Sequence, residues 1–135
     1  MEPRDALEFI SQHHRAVLAT TRNDGSPQLS LVAAGVDGDA VVVSTRETAQ
    51  KTRNLERRPR ASLIAFTDAF YGEWVQVDGT VEVVHLPEAM DGLIAYYRQL
   101  SGEHPDRDDY RAAMERDRRV LLRLTVERAG PDTAG

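Results

Sequence analysis

Hydrophobic and polar residues alternate with a period of two along most of the chain, interrupted by stretches where apolar residues recur at helical spacing. Ala16-Val17-Leu18-Ala19-Thr20-Thr21 is an apolar run of strand length. From Gln28 to Ala34, Leu29, Leu31 and Ala33 fall on one face, and Gln28 and Ser30 fall on the other. Asn23-Asp24-Gly25 between these runs predicts a hairpin turn, because glycine takes positive φ without steric cost. Asp37-Gly38-Asp39 turns the chain again before a third strand, Ala40 to Ser44. Ala61 to Thr67 reads as a fourth strand and Val120 to Val126 as the last. Trp74 to His85 is a long fifth, with Asp78-Gly79 as a bend or bulge. Its alternation assigns Val75 and Val77 to a barrel interior, and Trp74 and Gln76 to the opposite face.

Helical spacing appears at Pro3 to His13, where Ala6, Leu7 and Ile10 form the stripe and proline suits the first turn. Glu47 to Arg58 predicts a helix with a polar, basic surface, stopped by Pro59. Pro87 to Leu100 carries the stripe Met90, Leu93, Ile94 and Tyr97. Asp106 to Arg116 predicts a further helix, its aspartates serving as N-cap and first-turn charges. Six strands joined mostly by short turns, with helices inserted, argue for an α+β fold built around an antiparallel barrel and not for a doubly wound sheet. A chain of 135 residues predicts a single domain, placed at 1–128, with 129–135 as a loose tail.

Composition narrows the function classes. No cysteine is present, which excludes a disulfide framework and thiol-ligated zinc or iron–sulfur sites and suits a reducing cytoplasm. No apolar run approaches a membrane span, and the N-terminus lacks a basic-then-apolar signal pattern. A net charge of −5 argues against a nucleic-acid coat. Yet Arg46, Lys51, Arg53, Arg57, Arg58 and Arg60 crowd one stretch against only Glu47 and Glu56, as a protein with one anionic ligand would have.

The common catalytic signatures are missing. There is no G-x-G-x-x-G after a strand, no Walker-type phosphate loop, no H-E-x-x-H and no G-x-S-x-G elbow. Adjacent His13 and His14 diverge by about 100° on a helix and cannot grip one metal. A cofactor that carries the chemistry while the protein binds and orients it fits this pattern, and so does a non-catalytic binding module. Three motifs favour the cofactor. Ser44-Thr45, a helix start and Lys51-Thr52-Arg53-Asn54-Leu55 together make a phosphate cradle, although the same charges suit a solvated helix face. Gln28 and Ser30 offer donors and acceptors to a planar ring edge, or are ordinary polar residues of an exposed strand. Trp74 beside Gln76 suits the wall of a ring site, a dimer contact or plain packing.

Several runs together carry a family likeness: Val17-Leu18-Ala19-Thr20, Asp24-Gly25-Ser26-Pro27-Gln28-Leu29-Ser30, Lys51-Thr52-Arg53-Asn54-Leu55, Pro59-Arg60-Ala61-Ser62, Gly102-Glu103-His104-Pro105 with Asp109-Tyr110-Arg111, and Asp117-Arg118-Arg119-Val120-Leu121-Leu122. The sequence resembles the pyridoxamine-phosphate-oxidase-like split-barrel proteins, in particular the actinobacterial branch that uses the deazaflavin coenzyme F420. The resemblance implies a six-stranded antiparallel split β-barrel with flanking helices, and a homodimer with two cofactor sites at its interface. It implies that Lys51, with Thr52 and Asn54 nearby, receives the cofactor phosphate. Gln28 and Ser30 would lie along the ring, and Trp74 and Gln76 near its edge or the substrate pocket. Hydride would pass between F420 and a small organic substrate. An FMN-dependent enzyme on the same fold and a cofactor carrier are the alternatives. Some relatives carry a second basic residue where this chain has Ala49, so that either Arg46 or Arg53 compensates or the phosphate is held less tightly.

Overall fold

The computed structural model describes residues 1–131. Helix α1 (Pro3–Gln12) buries Ala6 and Ile10 completely. Strands β1 (Arg15–Thr21) and β2 (Pro27–Ala33) form a hairpin around Gly25, whose φ of 88° is open to glycine at little cost. Strands β3 (Gly35–Asp37) and β4 (Ala40–Arg46) form a second hairpin around Gly38. Helix α2 (Gln50–Arg57) follows, then β5 (Arg60–Phe66) and β6 (Trp74–Val84), helices α3 (Met90–Ser101) and α4 (Arg107–Asp117), and β7 (Arg119–Gly130). Asp106 caps α4, its side chain accepting from the Asp109 N–H, as the aspartate cluster predicts.

The fold is α+β, a curled antiparallel sheet with four helices. The sheet has seven strands in the order β2-β1-β5-β6-β7-β4-β3, one more than the sequence pattern predicts. The extra strand, β3, is only three residues long, too short for alternation to register. Of the segment expected to be loose, Ala129 and Gly130 continue β7 and pair with Val77 and Gln76; residues 132–135 lie outside the described residues.

Alternation fills the concave side with Leu18, Val41, Val43, Leu63, Val75, Val77, Val81, Leu122 and Leu124, closed at one end by α1 and at the other by Leu55 of α2. Gly79 allows the long strand β6 to bend. The register shifts between Asp78 and Gly79, and a Cβ at Gly79 would sit 1.9 Å from the Thr125 carbonyl oxygen. β6 can therefore leave β5 and continue along β7. A second, smaller core of Val42, Ala89, Leu93 and Leu121 fixes α3 to the convex side of β4 and β7.

In β2 the polarity is the reverse of what the composition suggests. Leu29 and Leu31 point away from the core, 63% and 83% exposed, while Gln28 and Ser30 face inward. On the same outer face stand Val17, Ala19 and Ile64, all partly exposed.

The sheet does not close between β2 and β4, and α3 spans the gap. The Tyr96 hydroxyl donates to the Ala33 carbonyl of β2 at 2.8 Å, and the Ser44 backbone of β4 approaches that hydroxyl. One turn on, the Gln99 amide receives the Val36 N–H at 2.7 Å and donates to the Val36 carbonyl at 2.8 Å, satisfying the free edge of β3 as a neighbouring strand would. Tyr96→Phe keeps the ring and removes the bridge. It is expected to cost about 1–2 kcal/mol of stability in urea unfolding at unchanged m-value. A loss below a few tenths would mean that the helix, and not this hydroxyl, holds the gap.

Candidate functional site

The strand–helix junction predicted as a phosphate cradle is present, but its hydroxyls and amides divide between different tasks. Residues 47–49 form a turn, so α2 begins at Gln50 and places Lys51 in its first turn. Thr45 faces the barrel interior and is buried; Ser44, on the opposite face of β4, lies on the side covered by α3. Thr52 donates to the Arg46 carbonyl at 2.7 Å and is 0% exposed. Asn54, also 0% exposed, points into the barrel end. Of the four, only Ser44 is more than marginally exposed, and Thr52 and Asn54 are sealed from any ligand.

Lys51 is half-buried, and its ammonium is pushed below the ordinary lysine range by burial first and by Arg119 second. Arg119 opens β7 directly opposite Arg46 of β4. The preceding Arg118 has φ 54°, a left-handed turn that reverses the chain out of α4 and is held by Glu47 at 2.8 Å. Arg119 is thereby brought within electrostatic reach of Lys51, Tyr96 and Tyr110. Burial pushes the Tyr110 hydroxyl up to about 12 and also raises Tyr96, so neither tyrosine supplies a neutralising charge. Asp117 approaches the Arg119 Nε only to 4.0 Å, and that Nε is buried without a hydrogen-bond partner among the described residues. Glu47, which lines a pocket with Arg119, is engaged by Arg118, so the Lys51 and Arg119 charges are incompletely neutralised, an arrangement that can receive an anion. Arg46 and Arg53, the residues expected to provide a second cation, are both solvent-exposed; the residue beside Lys51 is Arg119.

Gln28 sits opposite Thr20 across the β1–β2 pair. The Thr20 hydroxyl donates to Gln28 Oε1 at 3.1 Å and accepts from Asn54 Nδ2 at 3.0 Å. Asn54 Oδ1 in turn accepts from Gln50 at 2.9 Å and from the Arg57 guanidinium at 3.2 Å. Ser30, opposite Leu18, keeps its Oγ buried with no partner among the described residues. Because β2 and β4 run antiparallel, Ser30 and the Lys51 end of β4 lie on the same side of the Tyr96 bridge. Gln28 and Ser30 lie on the interior face of β2, and Arg119 opens β7 on the face of Leu121, under α3. The Ser30 hydroxyl and the Arg119 Nε are the buried side-chain polar atoms left without a partner among the described residues, groups that a polar ligand could satisfy.

Trp74 and Gln76 stand elsewhere. Trp74 pairs with Phe66 at the far end of β5, about 20 Å along the strand from the α2–β5 junction. It lines a groove of about 380 Å³ with Phe9 and Glu73. Gln76 is exposed on the outer face and bonds to Asp78 at 3.2 Å. Asp78 is held below the usual carboxylate range by hydrogen bonds from Ser62, Gln76 and Arg128, which outweigh its partial burial. Within one chain, Trp74 and Gln76 do not join Lys51 around a single pocket.

A curled antiparallel sheet left open along one side and flanked by four helices among the described residues is a split-barrel fold. The family model described as pyridoxamine 5'-phosphate oxidase matches residues 3–131, and the chain belongs to that family. Over 126 residues it is 29% identical to an F420H(2)-dependent biliverdin reductase of Mycobacterium tuberculosis, covering 92% of this chain and 83% of the relative. A conserved hypothetical protein of Mycobacterium tuberculosis has the same fold at TM-score 0.79 and 23% identity, covering all of this chain and 92% of its own. A structure described as an F420 reductase aligns at TM-score 0.67 and 19% identity over 91% of this chain and 94% of its own. Among the described residues no helix is long and apolar enough to cross a membrane.

The strained ammonium has a measurable consequence. Because burial lowers the Lys51 pKa, the unfolded chain holds that proton more tightly than the folded one. The charge opposes folding at neutral pH, and stability recovers as pH rises through the lowered value towards the ordinary lysine range. An anion against Lys51 removes the penalty. Lys51→Met is expected to melt no lower than the wild type at pH 7, while added pyrophosphate raises the melting temperature of the wild type only. Equal stabilisation of both would place the anion elsewhere.

Proposed function

We propose that the chain is an F420-dependent reductase that works as a homodimer in the cytoplasm. The observation that carries this reading is the Lys51–Arg119 pair, half-buried, under-neutralised and placed at a helix start beside the sheet gap. Such a pair suits a phosphate: each charge-assisted hydrogen bond contributes roughly 1.5–3 kcal/mol. Kinship with a relative described as F420H(2)-dependent supports the deazaflavin over other phosphate-bearing rings. Bound there, the deazaflavin would supply two electrons as a hydride to a small organic acceptor. Lys51 and Arg119 would hold its phosphate, and Gln28 and Ser30 would border its ring.

Trp74 and Gln76 enter this reading from a second copy. The outer face of β1, β2, β5 and β6 carries exposed Leu29 and Leu31 beside Val17 and Ile64, and the aromatic pair Phe70 and Tyr71 projects from the β5–β6 loop, 90% and 95% exposed. Two such faces packed about a twofold axis would bury these side chains and could bring one copy's β6 to the other's gap.

Titration with oxidised F420 and with FMN, followed by Trp74 fluorescence and cofactor polarisation, tests the cofactor. Micromolar binding of F420, weakened about tenfold or more in Arg119→Gln, is expected. Preference for FMN would move the chain to the flavin branch, and binding of neither would overturn the reading. Reduced F420 that binds but is never oxidised by quinones, nitroaromatics or bilins would leave a carrier. Leu31→Glu is expected to convert the dimer to a monomer in sedimentation and to weaken F420 binding with it. A monomeric wild type would remove Trp74 and Gln76 from the site.

A further inference from the structure

The side chains between α2 and β2 form a hydrogen-bond chain with one direction. It begins at Arg57, whose guanidinium can only donate. Arg57 donates to Asn54 at 3.2 Å, so the atom it meets must be the amide oxygen. Gln50 donates to the same oxygen at 2.9 Å. The other end of Asn54 is then the NH₂ group, which donates to the Thr20 hydroxyl at 3.0 Å. With its oxygen engaged as an acceptor from Asn54, Thr20 directs its one proton to Gln28 at 3.1 Å. Gln28 must therefore turn its carbonyl oxygen inward and its NH₂ outward. The Asn54 orientation follows from the arginine, and the Thr20 proton on Gln28 Oε1 sets the glutamine in turn. The chain also explains why Asn54 and Thr52 of the motif are fully buried. Thr52 ties the helix start to Arg46, and Asn54 carries polarity across the barrel end.

We infer that Arg57, Asn54 and Thr20 are positioning residues that hold Gln28 as a fixed hydrogen-bond donor facing the sheet gap, so that the site selects a ring edge presenting an acceptor. Gln28 Nε2 makes no hydrogen bond among the described residues, and the side chain is half-exposed. A free glutamine presents donor or acceptor at will. This one presents a donor only, which favours a carbonyl oxygen or an unprotonated ring nitrogen and disfavours a ring N–H. The inference rests on the proposal that Gln28 borders the cofactor ring. Its orientation can be read without any cofactor.

Asn54→Asp is the decisive variant. A carboxylate at this position only accepts, taking protons from both Arg57 and Thr20. Thr20 would then accept from Gln28, whose amide would rotate and present its oxygen to the gap. Thr20→Ser keeps the hydroxyl, and Thr20→Val removes it at similar volume. The Gln28 side-chain NH₂ resonances, assigned by their loss in Gln28→Glu, report the orientation in the cofactor-free protein. In the wild type and Thr20→Ser these protons are expected to face solvent and exchange readily. In Asn54→Asp one is expected to be protected and shifted.

F420 affinity, measured by polarisation, is expected to be near wild type in Thr20→Ser, about tenfold weaker in Thr20→Val and weaker still in Asn54→Asp. Unchanged Gln28 resonances in folded Asn54→Asp would overturn the orientation argument. If Asn54→Asp does not fold, Thr20→Val decides. A Gln28 NH₂ signal and an F420 affinity both equal to wild type would overturn it. A changed resonance with no change in F420 affinity would keep the orientation and refute its role towards the ring. Wild-type protein that binds neither F420 nor FMN would instead sink the proposed function, leaving the resonance measurement to stand on its own.

Discussion

An antiparallel sheet that curls without closing must satisfy two free edges, and this molecule satisfies them with side chains from one helix. Tyr96 bridges β2 and β4, and Gln99 takes both backbone groups of Val36 on β3. Unpaired strand edges invite association with other chains, and a covered edge removes that hazard. The small core of Val42, Leu93 and Leu121 exists to hold α3 in this place. Beyond the bridge no strand pairing joins β2 to β4 among the described residues. The opening is thus defined by where the helix stops sealing.

Much of this was legible from periodicity. The burial of Val75 and Val77, the bend at Gly79, the cap at Asp106 and the hairpins at Gly25 and Gly38 follow from local rules, because each depends on neighbours within a few residues. What failed to be legible depends on distance. Alternation in β2 separates two faces, but says nothing of which one meets the core. The apolar face turned out to be the exposed one, with Gln28 bonded to buried Thr20 and Ser30 opposite buried Leu18. Strand β3 is too short to carry a pattern.

The site divides in the same way. Lys51 was visible as a lysine at a helix start. Its companion Arg119 was not, because the two meet only after β7 has paired with β4, sixty-eight residues later in the chain. Thr52 and Asn54 look like phosphate ligands as residue types and are instead interior supports. Within the run Lys51 to Leu55, Thr52 and Asn54 brace the helix start that carries Lys51. A usable signal for Arg119 was present in Asp117-Arg118-Arg119, a charged triplet set directly before a buried strand and opposite Arg46 in register.

The strand order carries one more consequence, for the making of the protein. β4 leaves the ribosome early, yet its central partner is β7, at the other end of the domain. Until that last strand arrives, the β3–β4 hairpin has no sheet to join, and β2, β1, β5 and β6 form a layer of their own. Contacts of such long sequence separation form slowly, because the loop must close before any pairing rewards it. Lys51 and Arg119 come together only at this closure, so a chain that has not yet paired β7 with β4 does not hold the two cations near one another.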